Sequence, residues 1–232
     1  MDTNRFGLLE SEIRSCRKCA GLLSVAFVDR ADNPTAYVEP RPIVPAIRKC
    51  PILLIGQAPG LTEYEKQKPF QGPAGQRIRD VFAEVGVPRD KFDEIVYSTA
   101  IVKCFPGSKQ PKDGRSREDN LPRPLMVQNC LPFLLKQKAF VQPNVVVTLG
   151  RFPLQHYLKI RGNGAVCRLE NFVGKTEMWD GAQVVFFPHT SGTSRWHNSP
   201  QNRDLFLRAK QLLRDALLEE GIVKSICAQR CN

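Results

Sequence analysis

Three runs of almost unbroken apolar residues most tightly restrict how this chain can fold: "CPILLIG" (50–56), "VQPNVVVTLG" (141–150) and "GAQVVFFPHTSG" (181–192). A strand with one wet face alternates apolar and polar residues, whereas a strand apolar throughout must be covered on both faces. A fourth run, "EIVYSTAIVKC" (94–104), is also β-rich. Helical patterns separate these runs. After Gly75, residues Ile78, Val81, Phe82 and Val85 recur at i, i+3, i+4 and i+7, and Gly86 supplies the stop. Further helices are expected at 6–16, 124–138, 151–158 and 200–218, the last opening on Ser199-Pro200. Buried strands alternating with helices predict an α/β fold, here a three-layer α/β/α sandwich around a central, mainly parallel four-stranded sheet. No repeat or second core interrupts the pattern, so residues 1–232 read as one domain. Within it lie an N-terminal cysteine-bearing helical segment (5–20), a Pro-rich connection (31–47) and a basic insertion (107–124).

Ligands of such sheets bind in the crevice beyond the carboxyl ends of the strands. Three of those ends are polar and glycine-containing: "GQAPG" (56–60), "VKCFPG" (102–107) and "HTSG" (189–192). After Gly56 the chain offers turn N–H groups and the amide of Gln57, and further on Phe70 is held close by Pro69. Amides and a flat ring suit a planar heterocycle, since the ring stacks while the amides read an edge. The alternative is a plain βα connection with Phe70 in the core. His189 directly follows an apolar strand, where a neutral imidazole can stabilise an anion forming on a bound base; its alternative is a structural hydrogen-bonder. Beyond it, Ser191, Gly192, Thr193, Ser194, Arg195 and Trp196 form a small-residue loop tipped by a cation and an aromatic, suited to contacting phosphates.

Charge points the same way. Thirty-four Lys and Arg against 23 Asp and Glu leave +11, which repels itself unless a polyanion is the partner. Nucleic acid is the leading partner class, beside the plainer reading of a soluble basic protein. The N-terminus "MDTNRFGLLESE" lacks the basic start and apolar run of a signal peptide, and no run approaches the roughly 20 apolar residues of a membrane span. A cytoplasmic protein without membrane association is expected, with its eight cysteines reduced. Cys16 and Cys19 form a C-x-x-C at a helix end, Cys104 follows a strand and Cys130 lies inside a helix. The C-x-x-C alone fits zinc, a redox pair or chance; four thiolates together would suit zinc or an iron–sulfur cluster.

Taken in order, these segments resemble the uracil-DNA glycosylase superfamily, and most of all its family-4 branch with a [4Fe–4S] cluster. "GQAPG" is similar to the motif GEAPG, and "KPFQGPAG" (68–75) to its PFVGxAG continuation. "VKCFPG" and "NCLPFL" (129–134) resemble the cysteine-bearing segments, "QPNVVVTLGRFPLQ" (142–155) the KP-x-VIV-x-LG strand, and "HTSG" the HPS motif. With "CRKC" (16–19), the ordered match runs from about residue 12 to 218. The resemblance implies that Phe70 stacks on an extruded uracil and that Gln57, with the turn backbone at Gly56 and Ala58, bonds the base edge. It implies that His189 stabilises the departing uracil anion and that the loop of Ser191, Gly192, Thr193 and Arg195 fills the gap in the DNA. Cys16, Cys19, Cys104 and Cys130 would ligate a structural [4Fe–4S] cluster.

Three departures stand out. Ala100 in "YSTAIVKC" occupies the place where the family usually has a base-reading Asn, and an alanine side chain cannot make that contact. Gln57 replaces the family-4 Glu; it matches the family-1 form GQDPY, but Ala58 stands where that form has Asp. No motif carboxylate remains to position water, and Glu63 or Glu65 in the same loop is the candidate. Finally, Cys104 and Cys130 are separated by a longer insertion that carries Lys109, Lys112, Arg115, Arg117 and Arg123. Arg115 and Arg117 are expected to contact DNA. The insertion contains no His, unlike that of a relative that captures abasic DNA covalently, so no cross-linking is expected.

These readings predict a monofunctional, monomeric DNA-repair glycosylase that removes uracil from single- or double-stranded DNA and is drawn to the nucleoid through it. Two alternatives remain: a glycosylase for hypoxanthine or xanthine, which rests on Ala100, and a non-catalytic binder of damaged or single-stranded DNA.

Overall fold

The computed structural model describes residues 3–23, 38–109, 118–164, 167–190 and 195–223. In chain order the elements are α1 (Thr3–Arg14), β1 (Ile52–Gly56), α2 (Leu61–Lys66), α3 (Pro73–Glu84), α4 (Phe92–Ile95), β2 (Val96–Ala100) and the two-residue strands β3 (Ser108–Lys109) and β4 (Glu118–Asp119). They continue with α5 (Pro124–Val141), β5 (Val145–Leu149), α6 (Arg151–Ile160), β6 (Thr176–Trp179), β7 (Ala182–Phe187) and α7 (Pro200–Glu219). The chain divides into two compact units. One comprises 1–48, 57–72 and 99–140; the other comprises 49–56, 73–98 and 141–232.

The main sheet has the order β2-β1-β5-β7-β6, with β1, β5 and β7 parallel. Every residue of β1 and β5 is buried, as their unbroken apolar sequence requires. Burying a Val, Leu or Ile side chain is worth about 1.5–3 kcal/mol, so this centre contributes much of the hydrophobic stabilisation. The fold is α/β, with five strands rather than the expected four. The missed strand, β6 ("TEMW"), lies at the sheet edge with Thr176, Glu177 and Met178 half-buried or exposed, so it has no apolar signature. It pairs antiparallel with β7 through a two-residue turn, Trp179 opposite Ala182. That turn is Asp180-Gly181, with φ of 45° and 83°. Both values are positive, as a type I′ hairpin demands, and the Asp-Gly dipeptide was the available signal. The β3–β4 ladder inside the basic insertion was likewise not expected.

The expected helices are present. Pro73 opens α3, whose Ile78, Val81 and Phe82 are buried, and Pro200 opens α7 after Ser199. Residues 38–50 carry no regular structure, in keeping with their prolines. Among the described residues no helix is long and apolar enough to cross a membrane.

Candidate active site and cysteine pocket

In the unit containing residues 57–72, the chain leaves β1 into a turn whose geometry is set by one carboxylate. Glu63 Oε2 accepts the Gly60 N–H at 3.0 Å, and Oε1 accepts the Gln71 and Gly72 N–H groups at 2.8 and 2.7 Å. The first of these bonds caps α2; the others draw the far end of the loop back to its start. Between those ends Phe70 sits half-buried with φ of 52°. A left-handed backbone is uncommon for a bulky residue and persists only where its surroundings enforce it. Among the described residues Phe70 makes no ring–ring contact, so it is not packed into an aromatic core. Tyr64, in α2, by contrast packs its ring at a tilt on Phe105 at 5.6 Å and is covered by Arg41 at 5.4 Å.

The turn is fixed from two further directions. Val102 N–H donates to the Gln57 carbonyl at 3.1 Å, joining the turn to the segment after β2. The β3–β4 ladder brings Asp119 alongside: its Oδ1 accepts from Ser108 Oγ at 2.9 Å, and its Oδ2 lies 2.8 Å from where a Cβ on Gly60 would stand. Gly60 is extended, with φ of −87°, so a side chain there would crowd the carboxylates of Asp119 and Glu63 rather than strain the backbone. Both carboxylate oxygens of Glu63, the residue expected to orient water, are engaged by backbone. Glu63→Ala would leave three partly buried N–H donors without their acceptor, each costing about 1–3 kcal/mol if unsatisfied. The expected outcome is a lower melting temperature and weaker base binding, shown by a raised KM, with Glu63→Gln restoring part of both. An unchanged KM in Glu63→Ala would show that the clamp does not govern the loop.

The same unit gathers the four cysteines. Cys16 follows α1, Cys19 precedes a 3₁₀ turn, Cys104 follows β2 and Cys130 lies in α5, and all four line one pocket with Ile13, Pro40, Pro42, Lys103 and Phe133. Cys19, Cys104 and Cys130 are buried. Burial pushes the Cys104 thiol up, and the charges of Cys130, Cys19 and Cys16 raise it further. Burial also raises Cys130, while the Lys103 charge and a hydrogen bond from the Lys103 N–H oppose the rise. Asn129 Nδ2 donates to Cys19 Sγ at 3.5 Å. No group of three or more His, Cys, Asp or Glu among the described residues is arranged to hold a metal ion. In kind the donor set suits a thiolate-held cluster: four cysteines from three separate parts of the chain line one apolar pocket together with Lys103. Lys103 was not singled out from sequence. An isolated Lys in a β-rich run carries no signal that its charge will be buried.

In the other unit, His189 lies two residues beyond the end of β7, after Pro188, and is half-buried. Burial holds its pKa below the usual imidazole value, favouring the neutral ring. Its neighbours hold it closely. Thr190 Oγ1 donates to the Ala74 carbonyl at 2.8 Å, and Arg77 donates to the Thr190 carbonyl at 3.1 Å. Gly150 N–H donates to the Phe187 carbonyl at 2.7 Å, and a Cβ on Gly150 would lie 3.2 Å from His189 Cβ. With φ of 95°, Gly150 is left-handed and crowded, so glycine satisfies both demands. The His197 ring hydrogen-bonds the His189 backbone and packs edge-on against Phe206 at 5.0 Å. His197 had no sequence signal, because its partner is a main-chain group. Arg195 is exposed at the start of a 3₁₀ turn. Ser191, Gly192, Thr193, Ser194, Arg115 and Arg117 lie outside the described residues, as do Cys227 and Cys231.

The profile of the uracil DNA glycosylase superfamily matches residues 45–214, which span segments of both units. The chain belongs to the uracil-DNA glycosylase superfamily. Among its relatives is a type-4 uracil-DNA glycosylase from Archaeoglobus fulgidus, 31% identical over 172 residues that cover 72% of each chain. Another, from Saccharolobus solfataricus, is 27% identical over 214 residues, covering 89% of this chain and 85% of its own. A third, from Thermotoga maritima, is 32% identical over 120 residues, covering 48% and 55%. Within this superfamily the match contains Gln57, Phe70, Ala100, Cys104, Cys130 and His189, whereas Cys16 and Cys19 precede it.

Proposed function

We propose that this chain is a uracil-DNA glycosylase that hydrolyses the N-glycosidic bond of deoxyuridine in DNA, releasing uracil and leaving an abasic site. The observation that carries this reading is the Glu63-clamped loop. It holds Phe70 in a left-handed backbone with no aromatic partner among the described residues, inside the segment that matches the superfamily. A ring held ready in this way supplies a stacking surface for an extruded base, and flipping is easiest where the base is mismatched or already single-stranded.

In this mechanism Phe70 stacks on the uracil, while Gln57 and the turn backbone at Gly56 and Ala58 hydrogen-bond its edge. Glu63 is a positioning residue that keeps the loop in shape. As the C1′–N1 bond breaks, its electron pair leaves on the uracil ring, and water adds at C1′ with loss of a proton. Neutral His189 donates a hydrogen bond to the ring oxygen where the charge collects. Arg195, with Ser191, Gly192 and Thr193, contacts the DNA beside the emptied position, and Arg115 and Arg117 bind phosphates. Cys16, Cys19, Cys104 and Cys130 would hold a [4Fe–4S] cluster, whose part would be to tie α1, the end of β2 and α5 together rather than to act in hydrolysis. The protein acts as a single-domain monomer and reaches the nucleoid through DNA.

A second reading, excision of hypoxanthine or xanthine, is favoured by Ala100, whose methyl group cannot hydrogen-bond a base edge. One assay separates the two. Oligonucleotides carrying uracil, hypoxanthine, xanthine or a mismatched thymine are incubated with the protein and then cleaved by alkali. Cleavage confined to the uracil strand is expected. Cleavage confined to another lesion selects the second reading, and no cleavage at all leaves a DNA-binding protein without this chemistry.

A further inference from the structure

We propose that Lys103 is the fixed counter-charge of the group held by the four cysteines and that, through the Ala100 carbonyl, it positions the end of β2. The proposal rests on the cluster reading above. Lys103 is only 1% exposed, and its ammonium donates to the Ala100 carbonyl. A carbonyl is neutral, and a buried ammonium is strongly unfavourable unless an anion lies beside it. Lys103 lines the same pocket as Cys16, Cys19, Cys104 and Cys130, directly beside them. Among the described residues the interactions of this ammonium include no carboxylate. The anion that balances it is therefore the thiolate-held group itself.

Lys103 also engages this pocket through its main chain. Its N–H donates to Cys130 and its carbonyl accepts the Ile43 N–H at 2.8 Å. It also directly precedes Cys104 in the chain. One residue thus joins two cysteine positions to the carbonyl of Ala100, the position that departs from the family pattern. A buried lysine is also unavailable for phosphate contact, which separates it from the surface cations that bind DNA.

Cluster potentials depend on net charge and on hydrogen bonds to the sulfurs, so removing a cation beside the sulfurs drives the potential negative. The test uses the full chain, purified anaerobically, as parent, Lys103→Gln and Lys103→Met. Iron per chain, midpoint potential and single-turnover uracil excision are measured on each. Gln removes the charge but offers an N–H to the Ala100 carbonyl, whereas Met removes both. The expected result is a negative shift in potential, or iron loss from a chain still folded by circular dichroism, in both variants. Excision should fall in Lys103→Met and be kept in Lys103→Gln. An iron-loaded parent whose two variants retain its iron and potential overturns this proposal alone; a parent without iron overturns the cluster reading and this proposal with it. Should neither neutral variant fold, Lys103→Arg decides: the parent's potential supports the counter-charge, and a negative shift despite the retained charge overturns it.

Discussion

Replacing His189 with alanine should slow single-turnover uracil excision by about 10²- to 10³-fold, about 3–4 kcal/mol in the barrier, with little change in DNA affinity. Negative charge collects on the uracil ring oxygen as the glycosidic bond breaks, so a donor aimed there is stronger in the transition state than before it. His189 is equipped for this task, because burial favours its neutral form and Gly150, Thr190 and His197 restrain its segment. The phosphate contacts proposed above involve other residues and should survive the substitution. Phe70→Ala should behave differently, weakening binding of the flipped base by about 1–3 kcal/mol for the lost stack. Rapid-quench excision on a saturated duplex, beside an affinity measurement on the same duplex, distinguishes the two effects. Parent-rate excision by His189→Ala would remove the end of β7 from the chemistry and leave the family likeness as one of fold alone.

Replacing Cys104 with serine should release the iron and lower the melting temperature by about 10 °C. Loss of a metal site belongs to the few changes that cost 4–5 kcal/mol or more, and in a chain of this size each kcal/mol moves the midpoint by roughly 2–4 °C. Cys104 is the point where the end of β2 joins the pocket formed with Cys16, Cys19 and Cys130. Without it Cys19 and Cys130 are left as buried thiols, and Cys16 as a half-buried one, in an apolar pocket. Anaerobically purified parent should be brown and carry about four irons per chain. Metal analysis and a thermal melt of parent and variant provide the check, and a colourless parent with one zinc per chain would sink the assignment.

Much of this protein could be read from its residues alone because the relevant signals are local. Fully apolar runs can be stable only inside a sheet covered on both faces, and β1, β5 and β7 lie where those runs predict. Ser199-Pro200 and Gly86 mark helix ends because the fixed φ of proline and the left-handed freedom of glycine act whatever the surroundings, whereas the helix read from Gly75 begins two residues earlier, at Pro73. The ordered motifs likewise placed the chain in its superfamily, with Phe70 in a loop and His189 after a strand.

What the sequence could not convey depends on groups far apart in the chain. β6 escaped notice because an edge strand with one wet side has no continuous apolar signature. Glu63 reads as a catalytic candidate in sequence, yet its oxygens are taken by the N–H groups of residues up to nine positions away. Hydrogen bonds to main chain leave no mark on residue identity. Likewise, nothing in "YSTAIVKC" shows that the Lys103 ammonium is buried, since a lysine is ordinarily solvated and only the surrounding fold can deny it water. Composition and pattern determined the class of fold and the family of this protein. Tertiary packing alone decided which carboxylate clamps the Phe70 loop, which cation faces the cysteines and which pocket the four cysteines share, because each of those depends on distance in space and on dielectric.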